Sequence, residues 1–399
     1  MKTLLVNPTE IRGIVTMAEA VEAVRLGFRE WGENPQLNAP RRRIHIPSGV
    51  RVSVHQGGVP AAKATGLMTH CEWVKPMADE QVYPRLNHPV IVLYDSAEGE
   101  LKGIIIGEIT CAELPNNIAV TGLRTAATSA VGTDLLARPD ASRLGLFGAA
   151  GQAKNHLLAL MQVRRLQDVR VYSRNPVNRE TFADEMGRVT NLNITPVDSP
   201  EKAVRGVDIV LTATNASVPV FDGNWLEPGQ HVTTIVGSNV GLVKGGFAAA
   251  KRREIDDATL ARSHVHGIVS IQQAIQDEQA DIYDPVNRGV IRWDQLIEIG
   301  EILAGHKEGR TKSEQITFYK NNAGQGVADV ALAPRCWKKS EPSTPESNCS
   351  SNDSRLTHSS GLKPSSLFSP HVGVPWSEVA TGVGVFAAIT SHEFLDILN

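Results

Sequence analysis

Cysteine is scarce and scattered. Cys71, Cys111, Cys336 and Cys349 are the only four in 399 residues, and no two of them have C-x-x-C or metal-ligand spacing. That pattern excludes a disulfide scaffold and a cysteine metal site, and it suits a reducing compartment. No apolar run approaches the roughly 20 residues a membrane-spanning helix needs, and Met1–Thr9 has no signal-peptide apolar region. No membrane association and a cytoplasmic location are therefore expected. Charge of one sign is also lacking: 40 Lys and Arg against 43 Asp and Glu leave −3, so no attraction to nucleic acid or an anionic surface is implied. What remains, 41% hydrophobic and 21% charged residues, is the composition of a soluble globular protein with room for two domains.

What the chain does carry, from Arg143 to Asn175, is one βαβ pattern. A short apolar run (Leu144, Leu146, Phe147) meets the small-residue turn Gly148-Ala149-Ala150-Gly151-Gln152-Ala153. A helical pattern follows, with Leu157, Leu158, Leu160, Met161 and Val163 inward, and Val169 and Val171 mark a second strand ending at Tyr172-Ser173-Arg174-Asn175. A helix N-terminus after such a turn can hold a pyrophosphate on backbone N–H groups and the positive end of its dipole. Ala150 stands where the second glycine of the dinucleotide fingerprint belongs, so one methyl group intrudes where the backbone should approach the phosphates. About 20 to 25 residues beyond the first glycine comes the ribose end. Ser173 and Arg174 stand there instead of a carboxylate, so a 2′-phosphate is accepted and NADP(H) is expected over NAD(H).

Elsewhere the signals are individually weaker. Thr16–Trp31 reads as an amphipathic helix with Met17, Val21, Val24 and Phe28 on one side. The basic cluster Arg41-Arg42-Arg43 enters a strand, where alternation puts at most two of the three on one face; taken alone, it reads as a solvated edge. Val59–Thr69 reads as a strand carrying Lys63, whose bland reading is a snorkelling side chain. Pro89–Tyr94 and Leu101–Ile106 read as strands joined by a hairpin turn at Ser96–Gly99. The run Gly122–Ala130 should start a helix, and Arg124 near its positive end implies an anionic partner.

Arg43, Lys63, the Arg124-Thr125-Ala126-Ala127 run and the Gly148–Ala153 turn together resemble the ornithine cyclodeaminase/mu-crystallin family. The similarity continues through Val207–Asn215, Pro219–Gly229, Thr234–Asn239, Arg253–Asp256 and Ile316–Asn322, covering about residues 1–333. It implies an α/β protein with a Rossmann-type nucleotide domain inserted in a mixed α+β substrate and dimerisation domain. On that plan residues 1–129 are the substrate domain, 130–310 the nucleotide domain, and 311–333 the return to the first. The resemblance also implies a homodimer, a nicotinamide dinucleotide and a small amino acid or imine-acid substrate. Arg43, Lys63 and Arg124 would hold the substrate carboxylate; Lys63 and Arg124 are the expected catalytic positions, Lys63 also as a proton relay, and Asn239 is expected at the substrate. Thr125, Gly148, Ala149, Ala150, Gly151, Gln152, Ala153, Ser173, Arg174, Asn175, Thr212, Ala213, Thr214, Val236, Gly237 and Ser238 are expected around the cofactor. No metal is expected.

Within the family, cyclodeaminases carry an Asp where this chain has Asn239. An amide has no titratable proton near neutrality and cannot serve as general acid or base. The expected activity is therefore NAD(P)H-dependent reduction of the C=N bond of a small cyclic imine or ketimine carboxylate. The alternatives are an amino-acid dehydrogenase, a cyclodeaminase, and a non-enzymatic NADP(H)- and small-ligand-binding protein. Past Ala333 the composition changes. Residues 335–371 hold eleven Ser and four Pro and cannot form a core, so 334–371 is expected to be disordered. The apolar stretch 372–399 has a helical pattern in its latter half.

Overall fold

The Thr16 side chain accepts a hydrogen bond from the Glu19 backbone N–H while Glu19 reaches back to the Thr16 N–H, a reciprocal cap that starts the helix Met17–Glu33. Met17, Ala20, Val21, Val24, Phe28 and Trp31 recur at helical spacing and are all buried. In this computed structural model, which describes residues 3–73, 89–114, 120–322 and 324–340, the helix packs chiefly on three others, Val120–Leu136, Ile299–Leu303 and Gly326–Ser340. Met1–Ser343 forms one compact unit. The expectations for 341–371 and 372–399 lie outside the described residues. Residues 334–340 depart from the expected disorder, because they are the last turns of the helix Gly326–Ser340, which continues through Pro334.

Two sheets build this unit. The first runs, from edge to edge, Leu4–Val6, Leu101–Ile106, Val90–Tyr94, Ala64–Trp73, Val50–Val59 and Asn38–His45. Its neighbours are antiparallel except for the first pair. The helix Gly326–Ser340 lies against its two long central strands. One expectation fails here. Val59–Thr69 is not one strand: Pro60-Ala61-Ala62 makes a 3-10 turn, Lys63 adopts φ 51°, and the chain reverses to pair Val59 with Ala64. Pro60 fixes φ and has no N–H for a ladder, so the reversal falls there.

The second sheet has eight strands, all in parallel pairs: Leu296–Glu298, Val265–Ile268, Thr317–Lys320, His231–Thr234, Ile209–Thr212, Arg143–Phe147, Asp168–Tyr172 and Ile194–Pro196. Its middle strands are buried along their whole length because both faces are covered. From Arg143–Phe147 the chain winds outward one way through Asp168–Tyr172 and Ile194–Pro196, then returns to Ile209–Thr212 on the other side. This is the Rossmann-type arrangement, with its switch point between Arg143–Phe147 and Ile209–Thr212. The strand Thr317–Lys320 sits inside this sheet. The chain therefore rejoins the first sheet only after Lys320, later than the expected boundary at 310.

Helix Val120–Leu136 joins the two halves. Leu123, Ala126, Ala127, Ala130 and Val131 are fully buried, and its run of alanines lets it lie close to the helix Gly151–Met161 as well as to Met17–Glu33.

Candidate active site

At the switch point, Gly148 has φ +108°, and a Cβ there would fall 2.3 Å from the Ala213 carbonyl oxygen. The chain can pass so close only without a side chain. The next helix, Gly151–Met161, has Ala150 at its N-cap with no side-chain cap, so the N–H groups of its first turn are left for another acceptor. A Cβ on Gly151 would meet nothing within 4 Å. The space above this helix end is open and suits a pyrophosphate; Ala150 itself is exposed and does not fill it. Ala149 and Gln152 line the same turn, Ala153 is buried beneath it, and Gln152 Oε1 has no hydrogen-bond partner. At the neighbouring strand end Thr212 Oγ1 is buried and unpartnered. Beyond Tyr172, Ser173 is half-buried and Arg174 exposed, while Asn175 caps the helix Pro176–Thr190 by accepting from the Val177 N–H. Arg179 Nη1 donates to the Ser173 carbonyl at 2.9 Å. No carboxylate occupies the ribose end.

The strand ends facing this cradle are held from behind by a charged network that the sequence alone does not reveal. Glu254 is fully buried. Its Oε1 accepts from Thr214 N at 2.7 Å and Thr214 Oγ1 at 2.8 Å, and its Oε2 accepts from Ile235 N at 3.1 Å and Val236 N at 2.9 Å. Burial pushes its carboxyl above the ordinary value. Asp281 accepts from the Glu254 N–H at 2.9 Å and from Lys320 Nζ at 2.6 Å, and Lys320 also donates to Thr234 Oγ1 and the Val236 carbonyl. The side chains of Lys320 and Asp281 are 1% and 0% exposed. Two carboxylates and one ammonium thus fix the loops at Thr214 and Val236, leaving Gly237 with open space where a Cβ would point.

Part of the basic cluster entering the first sheet lies on one of its faces. Arg43 pairs with Ser53, and Ser53 with His70, so Arg43, Ser53 and His70 share a face with Arg51, His55 and Glu72. Arg41 is buried, Arg42 is exposed and Arg43 lies between. Arg43 Nη1 lies 3.4 Å from both the Ser238 carbonyl oxygen and Asp277 Oδ2, while its Nε is buried with no partner. Desolvation and the neighbouring Arg41 hold its pKa well below the usual arginine value, with Asp277 opposing. Arg41 donates through Nη2 to Asp277. Arg124 is 2% exposed; its Nε donates to Asp329 Oδ1 at 2.8 Å, its Nη1 to Thr125 Oγ1 at 3.2 Å, and its Nη2 has no hydrogen bond among the described residues. The other Asp329 oxygen lies 2.8 Å from His55 Nδ1. His55 Nε2 is buried and unpartnered, and desolvation lowers the imidazole to about 4, so it is neutral near pH 7. Gly324, at φ +89°, leaves the gap between them: a Cβ there would fall 2.4 Å from Arg41 Nη1 and 3.1 Å from His55 Nε2. Arg43, Asp277, Arg41, His55, Asp329 and Arg124 form a continuous chain of neighbours.

Two expected members are not in it. Lys63 is exposed at the turn after Val59, and its carbonyl accepts from Lys102 Nζ at 2.8 Å. It stands six residues of ladder beyond the Ser53 level, about 20 Å at 3.3 Å per residue. Lys63 is therefore neither a carboxylate ligand beside Arg43 nor a proton relay there. Asn239 is buried, but its Nδ2 donates to the Ala250 carbonyl at 2.9 Å and its Oδ1 accepts from the Arg252 N–H at 2.8 Å. Its amide braces a loop through both of its polar atoms. The sequence reading had Arg41 only as a member of the basic cluster and missed His55, Asp277 and Asp329. Asp329 had a usable signal, a lone acid in the apolar run Gly326–Ala333; Asp277 had none.

The family described as Ornithine cyclodeaminase/mu-crystallin family matches residues 1–341. An uncharacterized cyclodeaminase of Sinorhizobium fredii is 32% identical over 339 residues, 83% of this chain and 94% of its own. A Delta(1)-pyrroline-2-carboxylate reductase of Bacillus cereus is 26% identical over 337 residues, 84% of this chain and 96% of its own. Among solved structures, Thermococcus litoralis Delta(1)-pyrroline-2-carboxylate reductase, in complex with NADH and L-proline, superposes with a TM-score of 0.70 at 26% identity over 84% of this chain and 97% of that one.

Proposed function

The chain belongs to the ornithine cyclodeaminase/mu-crystallin family, and from that premise we propose that it is an NAD(P)H-dependent oxidoreductase that reduces the C=N bond of a small cyclic imine or ketimine carboxylate to an amino acid. The observation that carries this reading is the contact between Arg43 Nη1 and the Ser238 carbonyl. It puts a guanidinium with unused donors at the carboxyl end of the nucleotide sheet, where an open helix N-terminus and Gly148 await a dinucleotide.

The bound nicotinamide supplies hydride; the chain's own residues do the rest. Arg43 and Arg124 present leftover N–H donors to the substrate carboxylate, fixing which face of the C=N carbon is offered. Asp329 and Thr125 hold the Arg124 guanidinium in place. A protonated imine needs no further proton for hydride addition, so the commitment of the Asn239 amide to backbone, and the removal of Lys63 from the site, do not stop the reaction. Cyclodeamination, which needs proton transfer at the departing amine, lacks a group at Asn239 to perform it.

The experiment is a scan of NADPH and NADH oxidation against a panel of cyclic imine carboxylates with ammonia measured in parallel. Cofactor oxidation without ammonia is expected. Ammonia release with no net change in cofactor would overturn the reading in favour of a cyclodeaminase. Tight NADPH binding with no turnover of any imine acid would leave a binding protein.

NADP(H) is the proposed cofactor, supported by Ser173 and the exposed Arg174 at the ribose end. An Arg–phosphate hydrogen bond contributes about 1.5–3 kcal/mol, so Arg174→Ala should weaken NADPH binding roughly tenfold or more and leave NADH nearly unchanged. Titration of both cofactors by fluorescence checks this, and equal weakening would remove the preference. A homodimer is proposed as well; the outermost strand of the first sheet leaves Ile44 exposed, and a sedimentation mass equal to the monomer would contradict it. Among the described residues no helix is long and apolar enough to cross a membrane and no cluster of side chains could hold a metal ion.

A further inference from the structure

Two contacts bolt the segment after Ser270 to the first sheet and a third ties it to the loop at Ser238, none of them using the Asp277 carboxylate. Gln273 Oε1 accepts from the Arg41 N–H at 2.6 Å, Gln276 Nε2 donates to the Arg41 carbonyl at 2.9 Å, and Ser238 Oγ donates to the Asp277 carbonyl. Placing Asp277 therefore does not require its charge. The carboxylate nonetheless enters the arginine cluster, where Oδ2 accepts from Arg41 Nη2 and lies 3.4 Å from Arg43 Nη1. Burial alone would raise its pKa, but Arg41 and Arg43 hold it below the ordinary value, so it is ionised.

The other carboxylates here are distributed one per arginine. Among the described residues Glu72 pairs with Arg51, Asp329 with Arg124, and Asp277 with Arg41. Arg43 is left with a long, shared contact and a buried Nε that has no partner. Arg41 Nη2 and Arg43 Nη1 both contact one Asp277 oxygen, so a ligand held by Arg43 has Arg41 within its reach. What separates one cation from two is the charge on Asp277.

We propose that Asp277 is a specificity-determining residue: by neutralising Arg41 it restricts the site to imino acids with a single carboxylate. A second carboxylate brought to Arg41 meets the ionised Asp277 at contact distance, and like charges so placed in a buried setting repel strongly. This rests on the imine-acid reading of the same site.

The test uses planar, unreactive analogues of a ring imine, pyrrole-2-carboxylate and pyrrole-2,4-dicarboxylate, titrated calorimetrically into the full chain with oxidised cofactor present. The wild type should bind the monocarboxylate at least tenfold more tightly. Asp277→Asn, which keeps the shape and an acceptor for Arg41, should improve binding of both analogues and improve dicarboxylate binding at least tenfold more than monocarboxylate binding. Adding Arg41→Gln to that variant should abolish the gain, and Asp277→Glu should keep the wild-type preference. A wild type that binds the dicarboxylate as tightly as the monocarboxylate overturns the proposal even if no variant folds. An unchanged preference in Asp277→Asn overturns it while leaving the imine-acid reading intact. Failure of the wild type to bind either analogue, together with no turnover of any imine acid, overturns both.

Discussion

Replacing Arg124 by lysine is expected to lower kcat/KM for a cyclic imine carboxylate by about thirtyfold, roughly 2 kcal/mol of transition-state stabilisation, with NADPH affinity within about twofold of wild type. Lysine keeps a positive charge near Asp329 but loses the planar fork. In the structure Nε engages Asp329 and Nη1 engages Thr125, and Nη2 is left over. The cofactor cradle is built by other elements, so its affinity should not follow. Leucine is the less informative replacement, because it would strand Asp329, 2% exposed, with His55 alone. Breaking a buried pair this way costs about 3–5 kcal/mol and mixes folding with catalysis. Steady-state kinetics on the lysine variant with a measured NADPH Kd decides the matter. Unchanged kcat/KM would mean that the arginine serves only to pair with Asp329, and the carboxylate clamp would be wrong.

Lys320→Met should destabilise the fold by about 3–5 kcal/mol. The ammonium is buried and donates to Asp281, Thr234 and the Val236 carbonyl. Removing it leaves Asp281 charged and buried close to Glu254, whose carboxyl burial already pushes up. Denaturant unfolding followed by fluorescence would show the loss as a lower midpoint at an unchanged slope. Adding Asp281→Asn should recover part of it, since the stranded charge is then gone while hydrogen bonds to the Glu254 and Thr234 groups can persist. A midpoint within about 0.5 kcal/mol of wild type, the range of ordinary surface substitutions, would show that the network is dispensable. The same variant should weaken cofactor binding, because the loops at Thr214 and Val236 are fixed through it.

Two elements show how far local pattern carries. The βαβ unit was legible because every signal in it is short-range: apolar runs of strand length, small residues at the turn and a 3.6-residue stripe after them, and the structure has strands and helix there. The helix at Thr16 was legible for the same reason, since Met17, Val21, Val24 and Phe28 recur at helical spacing and are buried on one side. Lys63 was misplaced because a lysine among small residues looks alike in a strand and in a turn. Pro60, three positions earlier, carried the information that the chain reverses.

By itself, the sequence determined the class, the position of the small-residue turn Gly148–Ala153 between strand and helix, and the absence of a carboxylate among Ser173, Arg174 and Asn175. Only the tertiary structure decided which charges meet. Arg41 and Asp277 are 236 residues apart, Arg124 and Asp329 are 205 apart, and His55 and Asp329 are 274 apart. No periodicity or local spacing couples residues so distant. Their pairing follows from burial: a guanidinium taken out of water is tolerated only where a carboxylate from another element arrives with it. Whether an arginine is spent on such a partner, as Arg41 is, or keeps a buried donor without one, as Arg43 does, is settled by packing between elements.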